Sequence, residues 1–379
     1  MSLVRFSDVV RRANTKEDKD NTDKKYYVGG EHIKSNNVLI TDKGLIAGST
    51  IGPMFYFGFK AGQVLFVSRN PHLRKAGMVN FDGICSEKTF VLETIDEKVL
   101  IQRFLPFIMQ SDHFWNYMEA NKSGSVNYFV NWSTLAKYEF ELPLIEKQRE
   151  LADLLWAMND TKVACEELLT KTDELVKSQF IEMFGDPISN DRGWEYKTLP
   201  EVTDLVLGST PKSSEPTYWD GDIKWITPAE IQDDSFEIND TVRHITPEGV
   251  SAAGLKSFPA GTVIFSTRAP IGKTAIAGCE MYCNQGFKNF VCGPKINPIY
   301  LFSLLRINKD YFINLGTGTT FKELPKSRLE KVAISVPPIE KQNKFEELYR
   351  QSDKSKFEIG REVEVLTNMM NRLINDNLC

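Results

Sequence analysis

A chain of 379 residues with 41% hydrophobic side chains and a net charge of −5 has the size and composition of two or three ordinary globular domains. No run of 18 or more apolar residues offers a membrane span, and Met1 to Arg5 leads into charge instead of an apolar signal core, so the expected compartment is the cytoplasm. Six cysteines without a Cys-x-x-Cys, and four scattered histidines, signal neither a disulfide framework nor a metal site.

In chain order the elements come twice. Phe6-Ser7-Asp8-Val9 returns as Leu199-Pro200-Glu201-Val202, and Tyr27-Val28 ahead of Ile33 returns as Trp225-Ile226 ahead of Ile231. Gly62-Gln63-Val64-Leu65-Phe66-Val67-Ser68-Arg69 matches Gly261-Thr262-Val263-Ile264-Phe265-Ser266-Thr267-Arg268, and Ser123-Gly124-Ser125 matches Thr317-Gly318-Thr319. The offset drifts between 193 and 199, as surface-loop insertions and deletions would make it. This is duplication of a whole domain, not a stacked array.

Within each copy short β-rich runs follow glycines: Val64 to Val67 and Val263 to Phe265, then Phe90 to Leu92 and Asn289 to Val291. One helical stretch is expected in each, Val99 to Met118 and Ile299 to Asn314. The texture predicts an α+β domain with a curled, mainly antiparallel sheet. Each copy then ends on a strand-like run and a repeated phrase, Pro143-Leu144-Ile145-Glu146-Lys147-Gln148 and Pro337-Pro338-Ile339-Glu340-Lys341-Gln342.

The phrase opens a long helical pattern in both places. Apolar residues recur near a 3-4 alternation at Leu151, Leu155, Met158, Cys165, Leu169, Val176 and Met183, with Lys162 and Thr172 interrupting. Gly185-Asp186-Pro187 supplies a cap and a stop. The second pattern carries Phe345, Leu348, Ile359, Val363, Leu366, Met370 and Leu373. A 40-residue helix is ~60 Å long, too long to bury its stripe against a small β-domain, so the two helices are expected to pair antiparallel as a coiled coil, with approximate two-fold symmetry. The plainer alternative is two amphipathic helices buried in separate domains.

Catalytic signatures are missing. Gly272-Lys273-Thr274 lacks the upstream glycine of a phosphate loop, since position 267 is Thr. No Gly-x-Ser-x-Gly or His-Glu-x-x-His occurs, and Asn70-Pro71-His72 and Asn297-Pro298-Ile299 are not the active-site motif of an adenine methyltransferase.

Charge is unevenly spread. Residues 145–184 hold nine acids against five cations, whereas 60–88 hold five cations against two acids and 256–295 five against one. Those basic windows coincide with a strand followed by a cationic loop: Ser68, Arg69 and Lys75 in the first copy, Thr267, Arg268 and Lys273 in the second. Such a unit neutralises phosphates and reaches base edges, with arginine the usual reader of guanine. Arg69 and Arg268 have a second reading, as scaffold arginines holding a carboxylate or carbonyls. Polar and aromatic candidates for readout are Tyr26, Tyr27 and His32, then Tyr218, Trp225, Asn284, Gln285 and Lys288; Tyr27 and Trp225, being aligned, also read as core aromatics. Two domains on a helical frame suit duplex DNA, whose successive major grooves lie ~34 Å apart. The loops 40–59 and 233–257 share almost nothing, which fits two different half-sites.

The repeated phrase, the exit Phe184-Gly185-Asp186-Pro187, and Gly208-Ser209-Thr210-Pro211 through Tyr218-Trp219-Asp220-Gly221-Asp222-Ile223-Lys224-Trp225-Ile226-Thr227-Pro228 together resemble the specificity (S) subunits of type I restriction–modification systems. The first copy lacks the Gly-x-Thr-Pro and Tyr-Trp words. The resemblance implies target recognition domains at 1–143 and 185–337, with conserved helices at 144–184 and 338–379. It implies a non-catalytic subunit without a cofactor of its own, reading a bipartite asymmetric site in double-stranded DNA. It also implies two methyltransferase subunits that use S-adenosylmethionine, and restriction subunits that join them. Candidate DNA-binding residues are then Ser68, Arg69, Lys75, Thr267, Arg268, Lys273, Gln285 and Lys288. Candidate coiled-coil and partner residues are Leu151, Leu155, Met158, Leu169, Val176, Ile359, Val363, Leu366 and Met370. A recognition subunit of a related methylation or defence system, and a coiled-coil interaction scaffold, are the alternatives.

Overall fold

The computed structural model describes residues 2–318 and 322–378, so Thr319 and Cys379 lie outside the described residues. The chain divides into two compact units, one of residues 1–167 with 359–379 and one of residues 168–358. Each unit is α+β.

In the first unit Ser2–Arg5 pairs antiparallel with Glu139–Leu142, closing the start of the copy on its end. A five-stranded sheet runs in the order Val10–Ala13, Thr89–Thr94, Val64–Val67, Ala76–Val79, Leu39–Ile40, and a four-stranded sheet holds Gly44–Leu45, Tyr26–Val28, Gly83–Ser86 and Phe55–Phe59. The second unit has Glu195–Thr198 on Ala333–Val336, a five-stranded sheet of Thr203–Leu207, Lys288–Cys292, Val263–Phe265, Thr274–Ala277 and Glu237–Ile238, and, in place of the four-stranded sheet, a three-stranded one of His244–Ile245, Trp219–Ile226 and Tyr282–Cys283. The sheets are mainly antiparallel, with parallel pairs at Leu39–Ile40 on Ala76–Val79, Tyr26–Val28 on Gly83–Ser86, Glu237–Ile238 on Thr274–Ala277 and Trp219–Ile226 on Tyr282–Cys283.

The central strand Val64–Val67 is buried along its whole length. Its period of two sends Val64 and Phe66 into one core and Leu65 and Val67 into another. Val263 and Phe265 part from Ile264 in the same way. A strand with a core on both faces has no polar alternation, which is why it reads as a continuous apolar run.

The two intermediate helices depart from expectation because each is broken. The stretch expected at Val99 to Met118 becomes a 3-10 turn at Gln102–Phe104, a helix at Leu105–Ile108, and a restart at Asp112–Ala120. Ser111 caps the restart, its hydroxyl accepting from the Phe114 N–H at 3.2 Å. In the second copy Pro298–Ile307 starts on the Asn297 cap, and Lys309–Asn314 follows across Asn308.

Two helices of 40 residues, Ile145–Phe184 and Ile339–Leu378, give each unit the first part of one and the last part of the other. In the first unit Leu151, Leu155 and Met158 share a core with Met370, Ile374 and Leu378. In the second, Phe180 and Phe184 pack on Phe345 at 5.3 and 5.6 Å between ring centres. In the second unit Asp173 meets Lys356 at 2.8 Å while Phe184 meets Phe345, so numbers rise along one helix as they fall along its neighbour and the pairing there is antiparallel. Leu169, Val176, Ile359, Val363 and Leu366 are half-buried. Gly185, at φ +72°, ends the first helix, its N–H on the Ile181 carbonyl at 2.8 Å.

The repeated phrase is a latch. Gln148 is fully buried; its Oε1 accepts from the Ile101 N–H at 3.1 Å, and its Nε2 donates to the Val99 and Pro143 carbonyls at 2.9 and 2.8 Å. Gln342 repeats all three bonds, with the Asn297 N–H at 2.8 Å and the carbonyls of Lys295 and Pro337 at 3.0 and 2.7 Å. Each glutamine ties its helix start to the loop that begins the preceding short helices. Glu146, Lys147, Glu340 and Lys341 face solvent.

Candidate nucleic-acid interface

Leaving the central strand, the first copy runs through Ser68, Arg69 and Asn70 to a 3-10 turn at Pro71–Leu73, and returns at Ala76–Val79. Asn70 and Arg74 sit in the left-handed region, at φ +51° and +49°, which lets the chain turn back within a few residues. The Ser68 hydroxyl is buried and donates to the Lys88 carbonyl at 2.7 Å. The Arg69 guanidinium lies over Phe129, 5.8 Å from the ring centre.

The second copy builds the same unit on Ser266, Thr267 and Arg268. Thr267 is buried, and its backbone spans from the Gly286 carbonyl to the Leu324 N–H, both at 2.8 Å. Val130 N–H meets the Ser68 carbonyl at the same distance, so both arginines stand beside a returning segment. That segment is Ser123 to Phe129 in one copy and is pinned by Thr317 and Glu323 in the other, each closed by a reciprocal backbone pair. The sequence match of Ser123-Gly124-Ser125 to Thr317-Gly318-Thr319 was the available signal for this neighbour.

The eight candidate side chains separate by environment. Arg268 is exposed and its Nε donates to Glu323 Oε2 at 3.1 Å; Arg69 is half-buried and Gln285 exposed, the latter bonded to the Thr210 hydroxyl. Lys75 and Lys273 extend toward their own units: their ammonium groups donate to the equivalent carbonyls of Gly30 and Pro228, at 2.6 and 2.9 Å. Ser68, Thr267 and Lys288 are turned inward. Lys288 is 6% exposed and donates to the Thr267 hydroxyl at 2.9 Å and the Leu324 carbonyl at 2.8 Å, with Glu323 at 3.5 Å. Buried as they stand, these three shape the loop that carries Arg268 or Arg69 and do not offer a surface contact. Lys273 in that hydrogen bond also leaves Gly272-Lys273-Thr274 as a turn and strand start.

Burial holds the Lys288 ammonium below its ordinary range, with Glu323 opposing. Because the unfolded chain then binds this proton more tightly, stability rises with pH in the alkaline range up to 10.5, the unfolded value. Lys288→Met is expected to flatten that rise, read from unfolding midpoints of both proteins across alkaline pH. An unchanged slope would contradict the assignment.

The aromatic candidates also divide. Trp225 is 2% exposed and its Nε1 donates to the Ser209 carbonyl at 3.1 Å, so it belongs to the core. Tyr27 is half-buried, edge-on to His32 and Phe55. Sequence reasoning missed the cations laid on rings: Arg243 is 3.7 Å from the Trp219 ring centre, Lys43 is 4.2 Å from Tyr26 and Phe81, and Lys16 is 4.0 Å from Tyr56. Their partners are far apart in sequence and carry no spacing signal. Among the described residues no cluster of His, Cys, Asp or Glu can hold a metal ion, and no helix is long and apolar enough to cross a membrane.

Comparison with known proteins bears on this geometry. A family model described as type I restriction modification DNA specificity domain matches residues 191–363. The type I restriction enzyme MjaIX specificity subunit of Methanocaldococcus jannaschii is 35% identical over 157 residues, 41% of this chain and 36% of that protein. The HindI specificity subunit of Haemophilus influenzae is 23% identical over 194 residues, 49% of this chain and 42% of that one. The chain thus spans between about a third and a half of the length of these curated relatives. Two solved structures share the fold over nearly the whole chain. A type I restriction–modification S subunit from M. genitalium aligns with a TM-score of 0.63 at 13% identity, covering 100% of this chain and 96% of that one. A chain from a study of complex assembly and conformational transition of the type I R-M system aligns at 0.57 and 20% identity, covering 99% and 98%.

Proposed function

We propose that this chain, whose residues 191–363 match the type I restriction modification DNA specificity domain, is the DNA-reading subunit of a type I restriction–modification system and is not itself a catalyst. The observation that carries the reading is that the matched DNA specificity domain overlies a strand–loop unit with an exposed arginine, and that the first copy repeats the unit with Arg69. The boundaries we propose are recognition domains at 1–143 and 185–337 and conserved helices at 144–184 and 338–379.

In this reading each copy meets one half of a bipartite site in double-stranded DNA. Arg69, Arg268 and Gln285 are the contacting side chains, while Ser68, Lys75, Thr267, Lys273 and Lys288 hold the loops that present them. Phosphate contacts set register, and the arginines supply base discrimination. Two methyltransferase subunits dock on the acidic helical frame and bring S-adenosylmethionine. Restriction subunits join that assembly, and the site of action is the cytoplasm. The target adenine leaves the duplex for the methyltransferase pocket, so this chain supplies position and not chemistry.

The test is binding of the chain with its methyltransferase partner to a randomised duplex pool, followed by Arg268→Ala on the selected sequence. Selection of a bipartite sequence is expected, with Arg268→Ala weakening it about ten- to hundredfold and relaxing preference in one half only. Absence of both sequence preference and a complex would sink the reading. Uniform weakening on all sequences would make Arg268 a phosphate contact.

A further inference from the structure

The two copies join their domain to the helical pair through the same structure, yet fill the junction differently. Met78 N–H meets the Val38 carbonyl at 2.8 Å, and Ile276 N–H meets the Phe236 carbonyl at 2.7 Å, so Val38 and Phe236 are equivalent. The latch glutamines align Leu155 with Tyr349, and their loop bonds align Gln110 with Arg306. In the second copy the rings of Phe236 and Tyr349 meet at 4.8 Å, with Phe302 5.6 Å from Phe236. The hollow left there, about 280 Å³, is lined chiefly by Phe180, Phe302, Phe345, Tyr349 and Val176.

In the first copy the two rings are replaced by valine and leucine, and a hollow of about 230 Å³ opens among polar side chains, including Arg74, Gln110, Asp112, Asn159 and Lys162. Asn159 is 2% exposed, and its Nδ2 has no partner among the described residues. Gln110 donates through Nε2 to the Ala76 carbonyl at 2.6 Å, which fixes the amide and leaves its buried Oε1 without a donor among the described residues. The cations differ too. Lys356 of the second copy is satisfied across the helical pair by Asp173 at 2.8 Å. The equivalent positions here are Lys162 and Thr367, so among the described residues Lys162 pairs with Glu166 of its own helix, at 3.8 Å. Arg74 gives one nitrogen to Asp112 at 2.6 Å, and its planar group has further donors.

We infer that this hollow is a binding site for a phosphate group bearing a hydroxyl, either inorganic phosphate or the terminal phosphate of a nucleotide. Lys162, Arg74 and Asn159 Nδ2 supply donors to the phosphate oxygens, and Gln110 Oε1 accepts from the P–OH. Both orphaned buried groups gain a partner, and Lys162, paired with Glu166 at 3.8 Å, gains a second anion. Water (~30 Å³ per molecule) fills the remainder. Sulfate, having no hydroxyl at neutral pH, leaves Gln110 unmatched.

The proposal is independent of how DNA is read. It is tested on the full chain by calorimetric titration and thermal unfolding with inorganic phosphate, sodium sulfate and adenosine monophosphate as probes. Saturable stabilisation by phosphate is expected, weaker for sulfate and reduced about tenfold or more in affinity by Lys162→Met. The Lys162 side chain is 22% exposed and methionine matches its aliphatic stem, so this variant is expected to keep the fold; Val38→Phe, which mimics the second copy, should abolish binding. Tighter binding of the nucleotide would assign its terminal phosphate as the occupant, and binding of phosphate alone would assign the free ion. No saturable response to either, or an equal response in sulfate or in Lys162→Met, would overturn the site.

Discussion

Gln342→Leu is expected to lower the unfolding free energy by about 3 kcal/mol, because it strands the Asn297 N–H and two carbonyls that the wild-type amide satisfies. Leucine matches the glutamine in bulk and adds apolar surface, so the loss isolates the hydrogen bonds from packing. Gln342→Glu makes a sharper version. Its carboxylate would face the carbonyls of Lys295 and Pro337, where only a donor is welcome, so the charged form is disfavoured and the new group's pKa rises. The deficit should then be larger at neutral pH and shrink as pH falls through that raised value, the opposite of a surface carboxylate. Urea unfolding at several pH values reads both effects. A loss below about 0.5 kcal/mol, the range of ordinary surface substitutions, would mean that the repeated phrase serves something other than the junction.

Phe184→Ala should cost about 3–5 kcal/mol. The ring is fully buried at the end of the first long helix, with its centre 4.9 Å from that of Tyr300 and 5.1 Å from that of Phe180. Its removal opens a cavity that neighbours on three elements cannot all collapse into. At about 2–4 °C per kcal/mol for a unit of this size, the melting point falls by about 10 °C. Leu175→Ala on the same helix is the control: that side chain is 53% exposed, and its change should stay near 0.5 kcal/mol. If both substitutions cost the same, the helix end is not anchored as described.

How far these features were legible in the sequence depends on their range. The long helices were readable because forty residues without an internal proline, and in the first helix without a glycine, with apolar side chains at a 3-4 spacing, leave a local code few alternatives. The central strand was readable because Val64-Leu65-Phe66-Val67 is apolar throughout. The intermediate helices were not: Ser111 and Asn308 interrupt a pattern whose apolar content alone predicts continuity. The phrase ending in Gln148 and Gln342 announced itself by repetition, yet its work depends on backbone groups 47 and 45 residues away.

The candidate interface shows the same division. Composition located the basic windows, and alignment of the copies paired Arg69 with Arg268. Direction was invisible, since an inward ammonium and an outward guanidinium have the same signature in one dimension; only the structure turned Lys288, Lys75 and Lys273 onto oxygens of their own unit. The sequence by itself determined the duplication, the α+β class, the helical frame and the resemblance to specificity subunits, because these rest on periodicity and on words repeated in order. Tertiary structure decided which polar side chains are committed to holding the fold and which stand free, because that depends on carbonyls, carboxylates and rings brought together from distant positions.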